Sequence, residues 1–416
     1  MTATSAPPVA GPTATSAPLG DLDLPRMRRE RNEKLRAEME RQGVPAALLF
    51  GGGSVQYAVG PETLAGDAAR STYLRTAALV LADDPSPHLF TPYPEGAPPE
   101  LAPDHVHGPL FTESDDGVTH LAGVLRELAG GDPERLAVDD MSGPMHRLAP
   151  TVLGGSELVD AGPVLGPAKL HKTPDELECI HRAQRINELA MYDVQASIRP
   201  GLRQSDLSVV FLERIYELGC TSNGIDPIWQ VMTPTLAEGP YTTNGGVAFP
   251  LCTTDRVLVE GDVIWCDTGI HYQGYASDFG RTWIVSHRPR PSARQRAAFS
   301  AWRDVVAATL AAVRPGATGA DLAAAARAVV GGSTPWLGHF YLIHGVGTES
   351  AEPPMVGTDM GPDHDANLVI EPGMVLVLEP VIWDDGVAGY RAEDIVAVTN
   401  DGYVALSDYP YDPFDD

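Results

Sequence analysis

No apolar run in this 416-residue chain approaches the roughly 18 residues that a membrane-crossing helix requires. The longest candidates, such as Ala77–Ala82, are only strand-length, so no membrane helix is expected. Cysteine is scarce: Cys179, Cys220, Cys252 and Cys266 lie far apart and form no C-x-x-C pair. That spacing offers neither a disulfide framework nor a thiolate zinc site, and it reads as free thiols in a reducing cytoplasm. Positive charge is scarce too. Lys and Arg number 29 against 56 Asp and Glu, a formal net charge of −27. A protein gains affinity for nucleic acid by neutralising phosphates, so no nucleic-acid partner is expected. The stretch Met1–Gly20 is rich in Ala, Pro, Thr and Ser. It lacks the basic start and continuous apolar core of a secretory signal, and residues 1–22 read as a disordered tail.

What is present suffices for two cores, since 43% of residues are hydrophobic. Asp23–Gln42 reads as a charged helix, followed by short strands at Ala46–Phe50, Ala77–Ala82 and Pro87–Phe90. The alternation continues to about Ala161 and predicts an α/β domain over residues 23–165. Nothing in this part clusters acids, histidines or glycines in a catalytic pattern, so its expected role is structural or substrate-shaping. Gly162–Lys172, with its Gly and Pro, reads as the connection into a second domain over residues 166–416.

That second domain opens on Thr-Pro-Asp-Glu, which puts Thr173 at an N-cap, Pro174 at the first helical position and Glu176 where a capping box needs it. Further helices are predicted at Ser205–Leu218, Ser292–Val313 and Gly319–Val330. Strands are predicted at Asp262–Thr268, Arg281–Val285, Met374–Ile382 and Asp394–Thr399. The class is α+β with mostly antiparallel strands.

Five residues in this half carry the chemistry. Asp267 closes the apolar strand Asp262–Thr268, where an unpaired carboxylate is costly. Asp278 follows eleven residues later, before the next apolar strand. A loop about Tyr272–Tyr275 would bring the two carboxylates together, and a cation between them relieves their repulsion. His344 stands among glycines in Ile343-His-Gly-Val-Gly347. Glu379 lies in Val375-Leu-Val-Leu-Glu-Pro-Val-Ile382, and Glu393 in Tyr390-Arg-Ala-Glu-Asp-Ile-Val396. Taken singly, each acid fits a salt bridge or a strand-edge carboxylate. Four carboxylates and an imidazole together fit Mn²⁺, Fe²⁺, Co²⁺ or Zn²⁺, as a pair of ions roughly 3.5 Å apart that activates a water.

The order Asp, eleven residues, Asp, then His-Gly-x-Gly, a Glu-Pro strand and an Arg-x-Glu-Asp strand resembles the pita-bread metalloenzymes: aminopeptidase P, prolidase, methionine aminopeptidase and creatinase. The resemblance covers about Lys172 to Leu406, and Lys172–Leu177 is similar to the family's entry helix. The N-terminal half is similar in size and pattern to the creatinase-type N-terminal domain. The resemblance implies two divalent metal ions, Mn²⁺ foremost, a homodimer, and a small peptide or other small molecule as substrate. By that likeness Asp267 chelates one metal, Asp278 and Glu393 bridge, and His344 and Glu379 hold the other. Glu379 also takes a proton from a bridging water, and Arg391 steadies the site.

The family's peptidases carry auxiliary histidines that this chain lacks. Pro250 stands about seventeen residues before Asp267, and Ala351 stands seven after His344. Neither side chain donates or accepts a proton. His339, Glu349 and Glu352 are candidate substitutes. These gaps resemble the dimethylsulfoniopropionate lyases of the same fold. Three functions follow: a metal-dependent hydrolase of the Xaa-Pro aminopeptidase or prolidase kind, a lyase or small-molecule amide hydrolase that keeps the metals, and a binding protein with an idle site. The first leads, because an idle site has no need of five costly polar groups.

Overall fold

Asp23 caps the first helix, α1 (Leu24–Gln42), by accepting a hydrogen bond from Arg26 N, and Gly43 in the left-handed region ends it. The computed structural model describes residues 20–62, 75–232, 253, 255–332, 334, 341–384 and 386–415. Residues 1–19 of the expected tail lie outside the described residues. Residues 20–22, also assigned to that tail, precede a firm anchor: Gly20 N donates to Glu178 and Asp23 N to Asp175.

After α1 come β1 (Ala46–Leu49), α2 (Gly52–Ala58), β2 (Ala77–Leu81), β3 (His88–Phe90), β4 (Val106–His107), α3 (Asp115–Leu128), β5 (Arg135–Val138), α4 (Gly143–Val152), β6 (Glu157–Asp160) and α5 (Gly162–Leu170). The strands form one mixed sheet in the order β4-β3-β2-β1-β5-β6. Its central strands β1 and β2 are buried along their whole length. Apolar clusters on both faces account for those continuous runs, with Leu35, Val55 and Val164 on one side and Val118, Leu121 and Leu125 on the other. Each such side chain contributes roughly 1.5–3 kcal/mol when fully buried. The segment expected as a connection is instead helix α5. Pro163 sits in its first turn, where no N–H is needed, and its buried Val164, Leu165 and Ala168 face the sheet's core.

Thr173 and Glu176 make the predicted capping box at the start of α6 (Pro174–Ser197). Then follow α7 (Gln204–Glu217), β7 (Ser222–Asn223), β8 (Ile228–Val231), β9 (Val263–Thr268), β10 (Ile270–Tyr272), β11 (Tyr275–Ala276), β12 (Phe279–Ile284), α8 (Ala293–Ala312) and α9 (Gly319–Ala328). The chain closes with β13 (Ile343–Gly345), β14 (Glu352–Val356), α10 (Pro362–Asn367), β15 (Val375–Leu378), β16 (Ile382–Asp384), β17 (Ala388–Tyr390), β18 (Asp394–Thr399) and β19 (Gly402–Ala405). The described strand pairings of this half are all antiparallel. The predicted strand Met374–Ile382 is broken after Leu378, and its second part turns away to pair with β17. Pro380 supplies the break, since it has no N–H for a ladder.

Gln273 and Gly274, both with positive φ, form the tight turn between β10 and β11 that reverses the chain between Asp267 and Asp278. The two halves are tied by buried Arg31 of α1, which donates to Tyr275 Oη at 3.0 Å; that hydroxyl in turn donates to Glu176. No described helix is long and apolar enough to cross a membrane.

Candidate metal centre

Strand alternation aims Asp267 into the protein from β9. Its ladder partner on β12 is Gly280. Beyond β12 lies the segment that carries Arg391 and Glu393, joined to it by one backbone and one side-chain bond: Glu393 N donates to Gly280 O at 3.0 Å, and Thr282 Oγ1 donates to Arg391 O at 2.7 Å. Glu379 follows directly on β15, and His344 lies on the neighbouring β13. All five predicted residues are buried, with Glu393 at 0% exposure.

They converge as two overlapping groups. Ligand atoms of Asp267, Asp278 and Glu393 all lie within 4.8 Å of one another. His344 Nε2 lies 3.2 Å from Asp278 Oδ2 and 3.1 Å from Glu379 Oε1. Asp278 belongs to both. The other imidazole nitrogen, Nδ1, is 2.9 Å from the Gly345 carbonyl. A carbonyl only accepts, so Nδ1 carries a hydrogen, and Nε2 is the nitrogen left to ligate a metal once it gives up its proton.

Arg391 is the counter-cation. Its Nη1 lies 3.2 Å from Asp267 Oδ2, and its Nη2 lies 2.5 Å from Glu393 Oε1 and donates to Glu379 Oε2. Its guanidinium sits 4.1 Å from the centre of the Trp265 ring, which fixes the plane of the fork. Against burial, the charge of Glu379 and the contacts with Asp278 and Glu379 hold the His344 imidazole well above its ordinary value, so one guanidinium and one imidazolium face four buried carboxylates and negative charge is still in excess. Burial, then the charges of Asp278 and Glu379, push the Asp267 carboxyl up to about 7 against the pull of Arg391. Burial and the nearby Asp278 and Asp267 hold Glu393 well above the usual carboxylate range despite Arg391. Glu379 runs the other way: burial would raise it, but Arg391 and His344 together bring it below the ordinary glutamate value. Neither Glu393 oxygen has a well-aligned hydrogen-bond donor. Such a donor set, hard, anionic and short of cations, fits a pair of divalent ions.

Several contributors carry no chemical signature in the sequence. Asn187 Nδ2 on α6 donates to Thr268 O and Ser277 Oγ, both at 2.9 Å, clamping the residues next to Asp267 and Asp278. The amide N–H of Asp278 donates to Gln184 Oε1. Gly280 has to be glycine: a Cβ there would lie 2.6 Å from Glu393 Cδ. The i, i+3 spacing of Gln184 and Asn187 on one helix face was visible, but nothing local tied it to strands some 80 residues away.

The candidate substitutes for the missing histidines fare differently. Glu352 is buried and committed to Lys172 at 2.7 Å and Lys169 at 2.8 Å. Glu349 also pairs with Lys169, at 3.0 Å. Both carboxylates are therefore engaged by lysines. Ala351 is exposed. Pro250 and His339 lie outside the described residues.

Residues 178–400 match the model of metallopeptidase family M24. The chain belongs to that family. Residues 31–167 match the creatinase/prolidase N-terminal domain. A probable dipeptidase PepE of Mycobacterium tuberculosis is 28% identical over 296 residues, which cover 70% of this chain and 72% of that protein. A putative Xaa-Pro aminopeptidase of Mycoplasma genitalium is 28% identical over 239 residues, 57% of this chain and 62% of that one. Among solved structures, a prolidase from Thermococcus sibiricus superposes with a TM-score of 0.73 at 21% identity, covering 94% of this chain and 99% of that one. The M24 protein is thus an enzyme of the pita-bread fold, preceded by a creatinase-type N-terminal domain, in a family that depends on a dinuclear metal centre.

Proposed function

We propose that this M24 enzyme hydrolyses Xaa-Pro peptides, as a dipeptidase or aminopeptidase, with two Mn²⁺ ions. The observation that carries the reading is the double membership of Asp278, adjacent both to Asp267 and Glu393 and to His344 and Glu379. A carboxylate shared between two ligand groups is what a two-ion site requires. Asp267 would serve one ion, His344 and Glu379 the other, with Asp278 and Glu393 between them. Oxygen donors outnumber the single nitrogen, which favours Mn²⁺ among the divalent candidates. Bound there, the ions would supply Lewis acidity to a water and to the substrate carbonyl.

The chain's own residues do the rest. Glu379, kept ionised by Arg391 and His344 after burial is outweighed, is the group assigned to accept the proton released by the attacking water. Arg391, seated on Trp265, holds Asp267, Glu379 and Glu393 in register. Ala351 offers no donor to the departing nitrogen, so Glu379 is also the proposed source of that proton. The relatives named as a dipeptidase and an Xaa-Pro aminopeptidase support the substrate class. The free thiols Cys179, Cys220 and Cys266 support a cytoplasmic setting, and the family resemblance supports a homodimer.

One observation favours a second reading. With Pro250 and Ala351 at the histidine positions, the centre would suit proton abstraction beside a carboxylate, as in a dimethylsulfoniopropionate-type lyase. Mn²⁺-loaded protein should be offered Xaa-Pro dipeptides, longer Xaa-Pro peptides, and a panel of sulfonio, betaine and ectoine-like compounds, with products read by mass spectrometry. Release of the residue before proline is the expected result. Intact peptides beside turnover of a panel compound would transfer the assignment to the lyase.

A further inference from the structure

A second convergence of metal-ligating groups lies in the N-terminal domain, which the sequence had marked as free of any catalytic cluster. Asp84 sits in the turn between β2 and β3, His88 begins β3, His105 ends the 3₁₀ turn Pro103–His105, and His107 lies on the edge strand β4. Asp84 is oriented by its own turn: Oδ1 accepts from Ser86 N at 2.9 Å. Oδ2 is left facing two imidazoles, 3.6 Å from His88 Nε2 and 4.0 Å from His105 Nε2.

The far sides of both rings are already engaged. His105 Nδ1 lies 3.3 Å from the Pro87 carbonyl, so that nitrogen bears the hydrogen and Nε2 is a bare lone pair in the neutral ring. His88 Nδ1 pairs with His107 Nε2 at 3.1 Å, which allows the same tautomer in His88. Lone pairs facing a carboxylate oxygen across 3.6 and 4.0 Å are too far apart for hydrogen bonds. They are near the roughly 3.4 Å that separates donors of one tetrahedral ion with bonds of about 2.1 Å.

We propose that Asp84, His88 and His105 form a binding site for a single late first-row divalent ion of the Zn²⁺ class, separate from the dinuclear centre. Two imidazoles and one carboxylate suit Zn²⁺, Ni²⁺ or Co²⁺ better than Mg²⁺ or Ca²⁺. Water fills the fourth position. His107 and the Pro87 carbonyl serve as the outer hydrogen-bond partners that fix the ligand tautomers. The two rings are stacked, centroids 4.3 Å apart and 3° from parallel, so loading tilts them until both lone pairs aim at one point. Asp84 and His105 are only half-buried, which gives the ion a route in from solvent. The consequence is structural: β4, two residues long at the sheet edge, and the 3₁₀ turn before it become stapled to the β2–β3 turn.

The test compares the full-length protein with H88Q/H105Q and with the milder D84N. Each is equilibrated with excess Zn²⁺, passed through gel filtration and analysed for metal by mass spectrometry, and its thermal midpoint is recorded with and without Zn²⁺. Wild type should retain one equivalent more than either variant. A Zn²⁺-dependent rise in the midpoint should shrink in both, while turnover by the Mn²⁺-loaded enzyme stays unchanged. Co²⁺ replaces Zn²⁺ in a parallel titration, where the wild-type-minus-D84N difference spectrum should show tetrahedral Co²⁺ bands. Equal stoichiometry in wild type and D84N, with both folded by circular dichroism, would overturn the proposal.

Discussion

Asp267 and Gly280 face each other across the β9–β12 ladder, and the space that a side chain on Gly280 would fill is occupied by the Glu393 carboxylate. One ligand thus depends on the absence of a side chain opposite another.

Gly280→Ala should therefore damage the centre without unfolding the chain. The added methyl would lie 2.6 Å from Glu393 Cδ and 2.9 Å from its Cγ. Glu393 has no exposed surface and no room to swing out. Its displacement should lower metal affinity roughly 10–100-fold, the range for losing the support of a ligand. Isothermal titration with Mn²⁺ measures this, and circular dichroism reports on the fold. Unchanged affinity in a folded variant would mean that Glu393 is not a ligand.

Arg391→Met removes the one guanidinium set among Asp267, Glu379 and Glu393. Uncompensated buried charge costs roughly 3–5 kcal/mol, so the chelator-treated variant should unfold at much lower denaturant than chelator-treated wild type. The metal-loaded pair should differ less, because divalent ions take over the charge balance. Equal losses in both states would show that Arg391 acts through packing on Trp265.

Glu188 sets a pH dependence elsewhere in the second domain. Burial raises its carboxyl from 4.5 to about 7, against the opposing Asp408 N–H and the Arg281 charge. The folded state then holds a proton that the unfolded chain has released, so stability falls as pH rises from 4.5 to about 7. Glu188→Gln should remove up to roughly 3 kcal/mol of that slope. Denaturant midpoints for both proteins, taken on either side of this window, give the difference. Parallel curves for wild type and variant would exclude Glu188 as the source.

Ala351→His tests how far the lost histidine governs the chemistry. A positioned proton donor contributes typically 10²–10⁴-fold, so even imperfect placement at this exposed position should raise kcat for Xaa-Pro dipeptides by about 10-fold or more. A change in KM alone would place residue 351 in binding instead of proton transfer.

Residues carrying chemical type and local spacing were readable in the chain itself. Asp267, Asp278, His344, Glu379 and Glu393 stood out because acids inside apolar strands are costly. Thr173 and Glu176 announced a helix start because a capping box is a contact over three residues. The break at Pro380 has a local cause, yet the apolar run around it reads as one strand. The α5 helix reads as a connection in the sequence because Pro163 and Pro167 resemble a linker until an apolar face packs on the sheet.

Tertiary structure alone decided which distant groups meet. Asn187 and Gln184 reach Thr268, Ser277 and the Asp278 backbone N–H only because α6 lies against the β9–β12 strands. Glu352, a candidate replacement for a catalytic histidine, proved to be held by Lys169 and Lys172. Asp84, His88 and His105 look unremarked in sequence because their common point exists only once β4 joins the sheet edge. A sequence shows what a residue costs to bury; which neighbour repays that cost depends on folds spanning tens to hundreds of residues, where no local pattern extends.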